Sequence, residues 1–487
     1  MRKTKIVCTL GPSTDDEAVL RELILSGMNV ARLNMSHGTH EEHKRRADMV
    51  KKLRKELDVP VAILLDTKGP EIRTGKFAEK VMLTHGQKYT LTTNERPGDA
   101  EGCSITFKDL PKDVHRGSHI LIDDGLIEMV VEKVTDTDIE CRLLNDGPIT
   151  SYKGINVPGV TLSMPYISEK DRADLEFCVK EDFEFIAASF TRSAEDIVMI
   201  RNELEKNNCR DIRIIAKIEN TDGVENIDDI IRVSDGIMVA RGDLGVELPA
   251  EAIPNTQRRI VEKCICAKRP VIIATQMLYS MVKSPRPTRA EVSDVASAIY
   301  ERVDAVMLSD ETAMGDYPVE SVETMARVAR EIERDETHFK PMIDMDMVSV
   351  NHEITAQLAR SAVRASTNLP IKYVVLDTKT GRTGRYLAAF RGRKTVMAVC
   401  YQLHAQRILA LSYGVVPILR NQELSDRYHF LVDALEFLDQ YRKLDDGDLM
   451  AIVGGSFGPD GGASYVEIAN VQNIRKRNEE IVAQHNC

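Results

Sequence analysis

The chain has 487 residues, of which 43% are hydrophobic and 29% are charged, and its formal net charge is -11 at pH 7. A chain of this length exceeds the size at which a single hydrophobic core stops growing, so we expect two or three domains. The negative net charge argues against a general binder of nucleic acid or of an anionic membrane, although a local basic pocket could still bind small anions.

Short apolar runs alternate with amphipathic helical patterns over most of the first 340 residues. Runs that are almost continuously apolar are typical of buried parallel strands. The predicted strands are Lys5–Leu10, Asn29–Leu33, Val61–Leu65, Phe185–Ser189, Arg213–Ile218, Gly236–Ala240, Pro270–Ala274 and Ala305–Leu308. The predicted helices include Asp16–Ser26, His40–Glu56, Ala194–Glu205 and Val319–Arg334. Eight such units predict an α/β fold of the (β/α)8 TIM barrel type, formed by residues 1–69 and 166–340.

The alternation is interrupted once, after Leu65, where the sequence Asp66-Thr67-Lys68-Gly69-Pro70 leads into a segment with a different residue pattern. Its apolar segments are short, rich in β-formers and separated by Gly, Asp and Asn turns. This pattern predicts a small antiparallel β-barrel or sandwich domain over residues 70–165. Because a module inserted in a strand-to-helix loop stands over the mouth of the barrel, we expect it to act as a lid.

The final third of the chain, residues 345–487, returns to alternating helix and strand patterns and predicts a C-terminal α/β domain. A helix is expected over 351–367, followed by strands that begin at Lys372, Thr395, Val415, Leu449 and Tyr465. The turn at 378–383 has the composition of a strand-to-helix turn that cradles phosphate, and a glycine-rich loop lies at 454–463. An ordinary αβ connection is the alternative for the turn.

The nine cysteines are scattered, without a CxxC pair, and the N-terminus has no apolar signal segment. This pattern predicts a protein of the reducing cytoplasm. Cys264 and Cys266 form a CxC in a helical stretch, where their side chains point to different sides, so we interpret them as packing residues and not as metal ligands. No apolar run approaches the ~20 residues of a membrane span, so a soluble protein is expected.

Charged residues follow the fifth and sixth predicted strands, where parallel sheets and barrels bind ligands. Lys217 and Glu219 end one strand, and Asp243 follows the next. Two carboxylates with room for water or phosphate suit Mg²⁺ or Mn²⁺ better than zinc, and the lysine would supply a fixed positive charge. A surface salt bridge at two loop starts is the alternative.

Polar residues follow the other predicted strands as well. Together with Lys217, Arg32 and Arg73 would form a positive pocket suited to stabilising a transferring phosphoryl group. A second group of these residues could bind a cation through hard oxygen atoms. Because the group contains only one carboxylate, a monovalent cation is favoured. Its members are Asn34, Ser36, Asp66 and Thr67.

Six segments, in order along the chain, closely resemble the pyruvate kinase family. They are NVARLNMSHG, LLDTKGPEIRTG, AKIEN, MVARGDLGVE, ATQML and SPRPTRAEVSDVA. The resemblance covers the whole chain, including the inserted domain and the C-terminal domain. It implies a phosphotransferase of glycolysis that moves the phosphoryl group of phosphoenolpyruvate to ADP, giving ATP and an enolate that is protonated to pyruvate.

Residue by residue, the resemblance implies these roles. Glu219 and Asp243 are Mg²⁺ ligands, and Lys217 stabilises the phosphoryl group in transfer. The catalytic set also contains Arg32, on the phosphate side, and Thr275, next to the enolate carbon. The potassium ligands are Asn34, Ser36, Asp66 and Thr67. Backbone N–H groups at Ala240, Arg241 and Gly242 hold the substrate carboxylate, and the nucleotide contacts are Arg73, His37 and Lys153.

The resemblance also implies regulation and assembly. A sugar-phosphate activator would bind the turn formed by Thr378, Lys379, Thr380, Gly381, Arg382 and Thr383, and the expected assembly is a homotetramer. Glu71 occupies the position where potassium-dependent members carry Glu and potassium-independent members carry Lys, so activation by potassium is predicted.

Two residues depart from the family pattern. Asp310 replaces a glycine in the motif after the eighth strand, and Tyr279 stands where Glu follows the ATQML run. Asp tolerates left-handed backbone better than most residues, so it can partly replace that glycine. An additional carboxylate near a phosphate pocket could weaken substrate binding, which places the roles of Ser309 and Glu311 in doubt.

Three histidines, His37, His40 and His43, have an HxxHxxH spacing that resembles a zinc motif. Offsets of three and six residues do not converge as i, i+4 pairs do, so we expect histidines on a helix surface.

Two other functions compete with phosphoryl transfer. One is a metal-dependent barrel lyase or aldolase acting on phosphoenolpyruvate or a 2-oxo acid, which would need neither an ADP site nor a lid. The other is a catalytically silent sugar-phosphate sensor, against which the complete set around Lys217 argues.

Overall fold

The computed structural model describes residues 2–335, 345–350, 353–420, 429–441, 444–455 and 462–485. The chain begins with strands and helices in alternation: β1 Lys5–Thr9, α1 Glu17–Ser26, β2 Val30–Asn34, α2 His40–Glu56 and β3 Ala62–Asp66. Each helix starts at a side-chain cap. Asp16 accepts the Ala18 N–H at 2.7 Å, and Thr39 and Glu42 form a capping box, so both N-termini form where the sequence places capping residues.

The inserted domain follows β3. Its elements are β4 Ile72–Arg73, β5 Val81–Leu83, β6 Lys88–Thr92, β7 Gly102–Ser104, α3 Leu110–Asp113, β8 His119–Ile122, β9 Ile127–Val134, β10 Asp138–Leu143, β11 Gly147–Ile149 and β12 Gly154–Asn156. Seven strands form a sheet in the order β4-β12-β8-β9-β10-β6-β7, and β5 pairs with β11. A bridge between Thr74 and Ile105 joins the two ends of the larger sheet, so the domain is a small barrel around its own apolar core.

The chain then returns and completes the larger barrel. These elements are α4 Glu169–Lys180, β13 Phe185–Ala188, α5 Ala194–Lys206, β14 Arg213–Ile218, α6 Thr221–Glu225, α7 Ile227–Val233, β15 Gly236–Ala240, α8 Arg241–Glu247, α9 Ile253–Cys266, β16 Val271–Ala274, α10 Arg289–Tyr300, β17 Ala305–Leu308, α11 Asp310–Ala313 and α12 Pro318–Arg334. Short 3₁₀ turns cover Pro12–Thr14, Ala250–Ala252, Tyr279–Val282 and Met345–Met347.

Eight parallel strands close the barrel, because β1 pairs with both β2 and β17 and the others pair in sequence order. Across the insertion, β3 pairs with β13 through Leu64 and Phe185. The interior is filled by side chains such as Val7, Leu64 and Met238, so it is a packed core and not a channel. The predicted fold class is confirmed.

The C-terminal domain contains α13 Ile354–Asn368, β18 Ile371–Thr378, α14 Arg382–Ala389, β19 Thr395–Cys400, α15 Leu403–Leu409, β20 Val415–Leu419, α16 His429–Tyr441, β21 Leu449–Gly454, β22 Tyr465–Asn470 and α17 Val471–His485. Its sheet has the order β20-β19-β18-β21-β22, parallel except for the last strand. Residues 351–352 of the predicted helix and 456–461 of the predicted glycine-rich loop lie outside the described residues.

The C-terminal domain packs against the N-terminal ends of the barrel strands. Ile408 and Leu411 join the core of the barrel interior. Asp304 accepts hydrogen bonds from the Arg391 guanidinium, at 3.0 Å from Nη1, and from the Tyr413 N–H. The Lys5 ammonium donates to the Val415 carbonyl at 2.6 Å. The opposite end of the barrel therefore stays open for a site under the inserted domain.

None of the helices within the described ranges is long and apolar enough to cross a membrane. The eight cysteines in that part of the chain are free. Cys264 is buried and Cys266 is half-buried in α9, and burial raises the pKa of both thiols, as expected for packing residues.

Candidate active site

The Lys217 ammonium lies at the centre of the polar residues at the C-terminal end of the barrel. It is 2.9 Å from Glu219 Oε1, 3.1 Å from Asp66 Oδ1 and 2.8 Å from Ser189 Oγ. These partners come from three neighbouring strand ends, β14, β3 and β13, which parallel pairing brings to one edge. Lys217, Glu219 and Asp66 are all buried, so their interactions are little screened by water.

Burial alone would lower the pKa of Lys217, since it favours the neutral amine. The adjacent carboxylates of Asp66 and Glu219 outweigh that effect and raise the pKa above its ordinary value. Lys217 is therefore a permanent cation at this site, suited to electrostatic stabilisation and not to proton abstraction.

Arg32 adds a second cation on the other side of Asp66. Its Nε is 2.5 Å from Asp66 Oδ2, and its Nη1 donates to Thr9 Oγ1 at 2.8 Å. Burial would raise the pKa of Asp66, but Arg32 and then Lys217 hold it below the ordinary value. The Asp66 carboxylate thus fixes both cations in place at the rim of the barrel.

Glu219 and Asp243 form a pair of carboxyl groups within hydrogen-bonding contact. Burial raises the pKa of both groups, and each remains near another negative charge. Glu219 Oε2 also accepts the Phe190 N–H at 2.6 Å. A buried and a half-buried carboxyl group side by side share a proton or bind a cation, so the donor set fits a divalent ion with oxygen ligands.

Asp243 lies in the first turn of helix α8, which begins directly after strand β15. The Gly242 N–H donates to Thr275 Oγ1 at 2.7 Å. Arg241 extends beneath this turn, with Nη1 2.7 Å from Asp294 Oδ1 and Nη2 donating to the Thr275 carbonyl at 3.0 Å. These contacts hold the 240–243 backbone, whose N–H groups the resemblance assigns to a substrate carboxylate.

Thr275 and the residue after it have left-handed backbone, with φ values of 67° at Thr275 and 53° at Gln276. Consecutive left-handed residues other than glycine are costly and persist only where the surrounding structure fixes them. Here the turn directs the Thr275 hydroxyl toward α8, where the proton-transfer hydroxyl is expected.

The four residues expected to hold a monovalent cation come from adjacent strand ends. Asn34 and Asp66 are direct neighbours in the β2–β3 register. Asn34 Oδ1 accepts the Ser36 N–H at 3.1 Å, and Thr67 Oγ1 accepts the Ser189 N–H at 3.2 Å. Since Asp66 also pairs with two cationic side chains, a bound monovalent ion would share that carboxylate.

The residues expected to contact the nucleotide lie at the lid and at the β2–α2 loop. Arg73 pairs with Glu71, with Nη2 2.7 Å from Oε1, and Lys153 Nζ is 2.9 Å from Asp123 Oδ1. His37 is exposed at the rim of the barrel. A cleft of about 100 Å³ separates lid and barrel, and its walls include Asp243. Arg73 and Lys153 are thus paired within the lid and do not touch the cluster around Lys217 in the described contacts.

The two departures from the family pattern are both exposed in this chain. Asp310 starts the short helix α11, and Tyr279 lies in the 3₁₀ turn after β16. Glu311, the neighbour of Asp310 in the sequence, is buried and accepts the N–H groups of Leu278 and Ser309. Glu311 therefore joins two loops at the rim, while Asp310 is exposed.

The three histidines do not converge on a common point. His40 pairs with Asp174 at 2.6 Å, whereas His43 Nε2 contacts the His37 carbonyl at 2.7 Å. The expectation of surface histidines is wrong for His43, which is buried because its ring closes the loop before α2. No group of three or more His, Cys, Asp or Glu residues suited to a metal occurs within the described ranges.

The predicted effector turn follows β18 and leads into α14. The Gly381 N–H donates to Thr378 Oγ1 at 2.9 Å, and Gly381 has a left-handed φ of 78°. Thr383 is buried, while Thr380 is exposed beside the half-buried Lys379. Arg382 lies close to Gly462, so the turn and the end of the late glycine-rich loop are neighbours.

Several contacts of the site were not predicted from the sequence. Ser189 bridges Lys217 and Asp66, the Phe190 N–H orients Glu219, and Asp294 fixes Arg241. Ser189 ends a predicted strand and Phe190 follows it, which was a signal for their position. Nothing in the local sequence indicates that Asp294, on helix α10, reaches α8.

A closed eight-stranded barrel whose C-terminal rim carries buried cations beside a pair of carboxyl groups defines a (β/α)8-barrel enzyme for anionic substrates. Residues 1–322 match the family model for "Pyruvate kinase, barrel domain", and residues 356–469 match that for "Pyruvate kinase, alpha/beta domain". The chain belongs to the pyruvate kinase family.

Individual relatives agree with this assignment. A pyruvate kinase of Clostridium acetobutylicum is 46% identical over 424 residues, covering 87% of this chain and 89% of that protein. One of Sporosarcina psychrophila is 43% identical over 485 residues, covering 99% of this chain and 82% of that protein. The crystal structure of a pyruvate kinase from Cryptosporidium parvum matches with a TM-score of 0.90 at 37% identity, covering 96% of each chain. The chain is therefore a phosphotransferase with phosphoenolpyruvate and ADP or ATP as substrates.

Proposed function

We propose that the enzyme transfers the phosphoryl group of phosphoenolpyruvate to ADP at the rim of the barrel, with Lys217, Arg32 and Thr275 as catalytic residues. The observation that carries this proposal is the buried Lys217 ammonium, fixed by Asp66, Ser189 and Glu219. A phosphoryl group in transfer spreads negative charge over its oxygens, and a pre-positioned cation stabilises it without reorganisation. Arg32 supplies a second charge to the same group.

Glu219 and Asp243 are the proposed ligands of Mg²⁺, or of Mn²⁺ in its place. When bound, the ion would neutralise charge on the phosphoryl oxygens and bring the two anionic substrates together. The raised pKa of both carboxyl groups supports this assignment, since it reflects burial and nearby negative charge that a bound cation would offset. Asn34, Ser36, Asp66 and Thr67 are the proposed potassium ligands.

Substrate orientation is the proposed role of the turn at 240–243. The N–H groups of Ala240, Arg241 and Gly242 would bind the carboxylate of phosphoenolpyruvate at the N-terminus of α8. Thr275, held against this turn, would then lie beside the enolate carbon and take part in its protonation. The hydrogen bond between the Gly242 N–H and the Thr275 hydroxyl supports their common placement.

Nucleotide binding would use Arg73 and Lys153 from the lid and His37 from the barrel. Closure of the lid would bring the two lid cations to the phosphates of ADP and exclude water from the reacting group. The insertion of residues 70–165 into the loop after β3 supports this role, because that loop lies at the catalytic end of the barrel.

A sugar phosphate is the proposed activator, bound at the turn Thr378–Thr383. Changing Lys379 and Arg382 together to Ala should abolish activation by the sugar phosphate that works, while the unactivated rate is retained. Unchanged activation would refute this placement. We also retain a homotetramer, a cytoplasmic location and the domain limits given above as predictions.

A coupled assay tests the reaction itself. Pyruvate and ATP should form together, and only when phosphoenolpyruvate, ADP and a divalent cation are all present. Removing the divalent cation with a chelator should lower the rate to background, and adding it back should restore it. Pyruvate formation that does not depend on ADP would indicate a lyase or phosphatase instead.

The potassium assignment is tested in the same assay by exchanging potassium for tetramethylammonium in sodium-free buffer. Glu71, the residue that indicates potassium dependence, pairs with Arg73 within the lid. Without potassium we expect turnover to fall by at least about tenfold, because the substrates' negative charges lose one compensating cation. Equal turnover in the two buffers would contradict the potassium site.

A further inference from the structure

Two segments of chain connect the barrel to the lid, and their contacts are distinct from those of the catalytic cluster. Residues 67–70 lead from β3 into the lid, and residues 162–168 return from the lid to α4. Any rotation of the lid relative to the barrel has to occur in these two crossings, since the chain offers no other connection between the two domains.

One side chain, Asp171 in the first turn of α4, holds both crossings. Its Oδ1 accepts the Gly69 N–H of the outgoing crossing at 3.1 Å. Its Oδ2 accepts the Ser168 N–H of the returning crossing at 3.0 Å and the Ser168 hydroxyl at 2.5 Å. Asp171 is only 4% exposed, so water competes little for these hydrogen bonds.

The barrel holds the outgoing crossing up to Gly69. The Thr67 N–H donates to the Ala187 carbonyl at 3.0 Å, and Ser189 Oγ donates to the Thr67 carbonyl at 2.7 Å. Gly69 has a φ of 70°, and a Cβ there would come within 2.9 Å of the Ser189 carbonyl oxygen. The chain therefore makes a close, glycine-dependent turn at the last point where the barrel holds it.

The returning crossing changes partners within three residues. Arg192, on the barrel, donates to the carbonyls of Leu162 at 3.0 Å and Met164 at 3.2 Å. Between them, the Ser163 N–H donates at 2.8 Å to Asp113, which belongs to the lid. The transition from lid to barrel therefore lies at 162–164.

We propose that Asp171 is the positioning residue that fixes the hinge of the lid, by holding the outgoing and returning crossings to one rigid helix. This inference rests on the proposed phosphoryl transfer, in which the closed lid aligns ADP and excludes water. Asp171 touches neither the catalytic cluster nor the lid cations. Its effect on the reaction is geometric, because a small displacement at a hinge becomes a larger one at Arg73 and Lys153.

A misplaced lid should leave a chemical signature. If water reaches the reacting phosphoryl group, its oxygen bonds to phosphorus in place of the ADP oxygen, and the bond from phosphorus to the enolate oxygen breaks as before. The products are then inorganic phosphate and the enolate, which takes up a proton and becomes pyruvate. Pyruvate would form without an equal amount of ATP.

The experiment measures ATP and pyruvate together in Asp171→Ala and Asp171→Asn. The wild-type enzyme should give equal amounts of both products. In Asp171→Ala the ratio of ATP to pyruvate should fall at least about twofold, and the KM for ADP should rise about tenfold, because misalignment is costly in rate and binding. Asp171→Asn keeps one acceptor oxygen for Gly69, so its ratio of ATP to pyruvate and its KM for ADP should lie between those of the wild type and of Asp171→Ala.

Glu291 provides a matched control, because it makes the same type of contact wholly within the barrel. It caps α10 by accepting the Thr288 N–H at 2.7 Å, and it holds a second segment through the Ser280 N–H at 2.7 Å. Glu291→Ala should lower the melting temperature, as loss of a cap does, but should leave the ratio of ATP to pyruvate at the wild-type value.

Equal product amounts and an unchanged KM for ADP in Asp171→Ala would overturn the proposal. If that variant does not fold, Asp171→Asn decides, and wild-type values for both quantities would overturn the proposal in the same way. A wild-type enzyme that forms no pyruvate in response to ADP would instead contradict the proposed function, so the two failures are distinguishable.

Discussion

The barrel contains a buried lysine at each end, and the two have opposite surroundings. Lys217, at the catalytic end, contacts two carboxylates, which raise its pKa. Lys5, at the end covered by the C-terminal domain, donates to a carbonyl and makes no ion pair with a carboxylate in the described part of the chain. Burial, with Arg2 as a second cause, lowers the pKa of Lys5 to about 7.

The two lysines therefore differ in what their charge does: the charge of Lys217 is stabilised for the reaction, whereas the charge of Lys5 is unfavourable in the fold. At the catalytic end, the buried carboxylates of Asp66 and Glu219 keep the Lys217 ammonium ionised, where a transferring phosphoryl group needs a positive charge. At the other end, the charge on the Lys5 ammonium lowers the stability of the folded state. Activity should therefore depend on the first lysine, and pH-dependent stability on the second.

The largest expected effect is that of Lys217→Met on turnover. The kcat should fall ~10³-fold with little change in the KM for phosphoenolpyruvate, because the lost charge acts on the transition state more than on bound substrate. Steady-state kinetics measure both constants. Lys217→Arg, which keeps the charge but changes its position, is the companion variant. A large rise in KM with normal kcat would contradict the proposed role.

The next largest expected effect is the loss of stability on changing Arg391, the partner of buried Asp304 at the barrel end that the C-terminal domain covers. Arg391→Met should lower the free energy of unfolding by about 3 kcal/mol, because it leaves a buried carboxylate without its cation. Urea denaturation measures this change, and the KM values of the folded enzyme should remain as in the wild type. Arg364→Met, which breaks an exposed pair with Asp346, should cost less than about 1 kcal/mol.

Lys5→Met should change how stability depends on pH. The folded-state pKa of Lys5, about 7, lies below the ordinary lysine value of 10.5. Between these values the unfolded chain binds more protons than the folded one, so this lysine makes the free energy of unfolding rise with pH. The slope contributed is about 1.4 kcal/mol per pH unit. Denaturation of the wild type and of Lys5→Met at several pH values gives the free energy of unfolding of each, and the difference between their pH slopes is the contribution of Lys5. Identical slopes would contradict the lowered pKa.

The smallest effect should come from the lid cations. Arg73→Met and Lys153→Met should each raise the KM for ADP about fivefold and change kcat less, because their half-exposed ion pairs are weak and have to be exchanged for nucleotide contacts. ADP titrations at saturating phosphoenolpyruvate measure the change. A loss of kcat as large as that of Lys217→Met would show that the lid cations act as the buried cluster does.

The barrel was predictable because its strands are buried on both faces and therefore appear as continuous apolar runs. The polar residues that end them, such as Lys217, Glu219 and Asp66, could be assigned to one rim because parallel strands share an edge. The pairwise contacts among them could not be predicted, since Ser189 and Asp294 reach their partners only through the packing of distant segments. The family resemblance supplied roles that spacing alone did not.

Local sequence was misleading where tertiary packing decides the backbone. The stretch Arg241–Glu247 contains two glycines, which are poor helix formers, yet it forms helix α8. Leu244 is fully buried, and this packing outweighs the low helix propensity of glycine. The consequence is functional, because Asp243 and the N–H groups before it lie in the first turn of a helix.

The pairing of β3 with β13 has a consequence for how the chain folds. Leu64 and Phe185 are neighbours in the barrel, although the whole lid lies between them in the sequence. Closing a flexible loop of about a hundred residues costs entropy before β3 and β13 can pair. The lid has its own core and closed sheet, so it can fold first and leave its two ends close together. The insertion would then behave as a short connection, and we expect it to slow barrel assembly little.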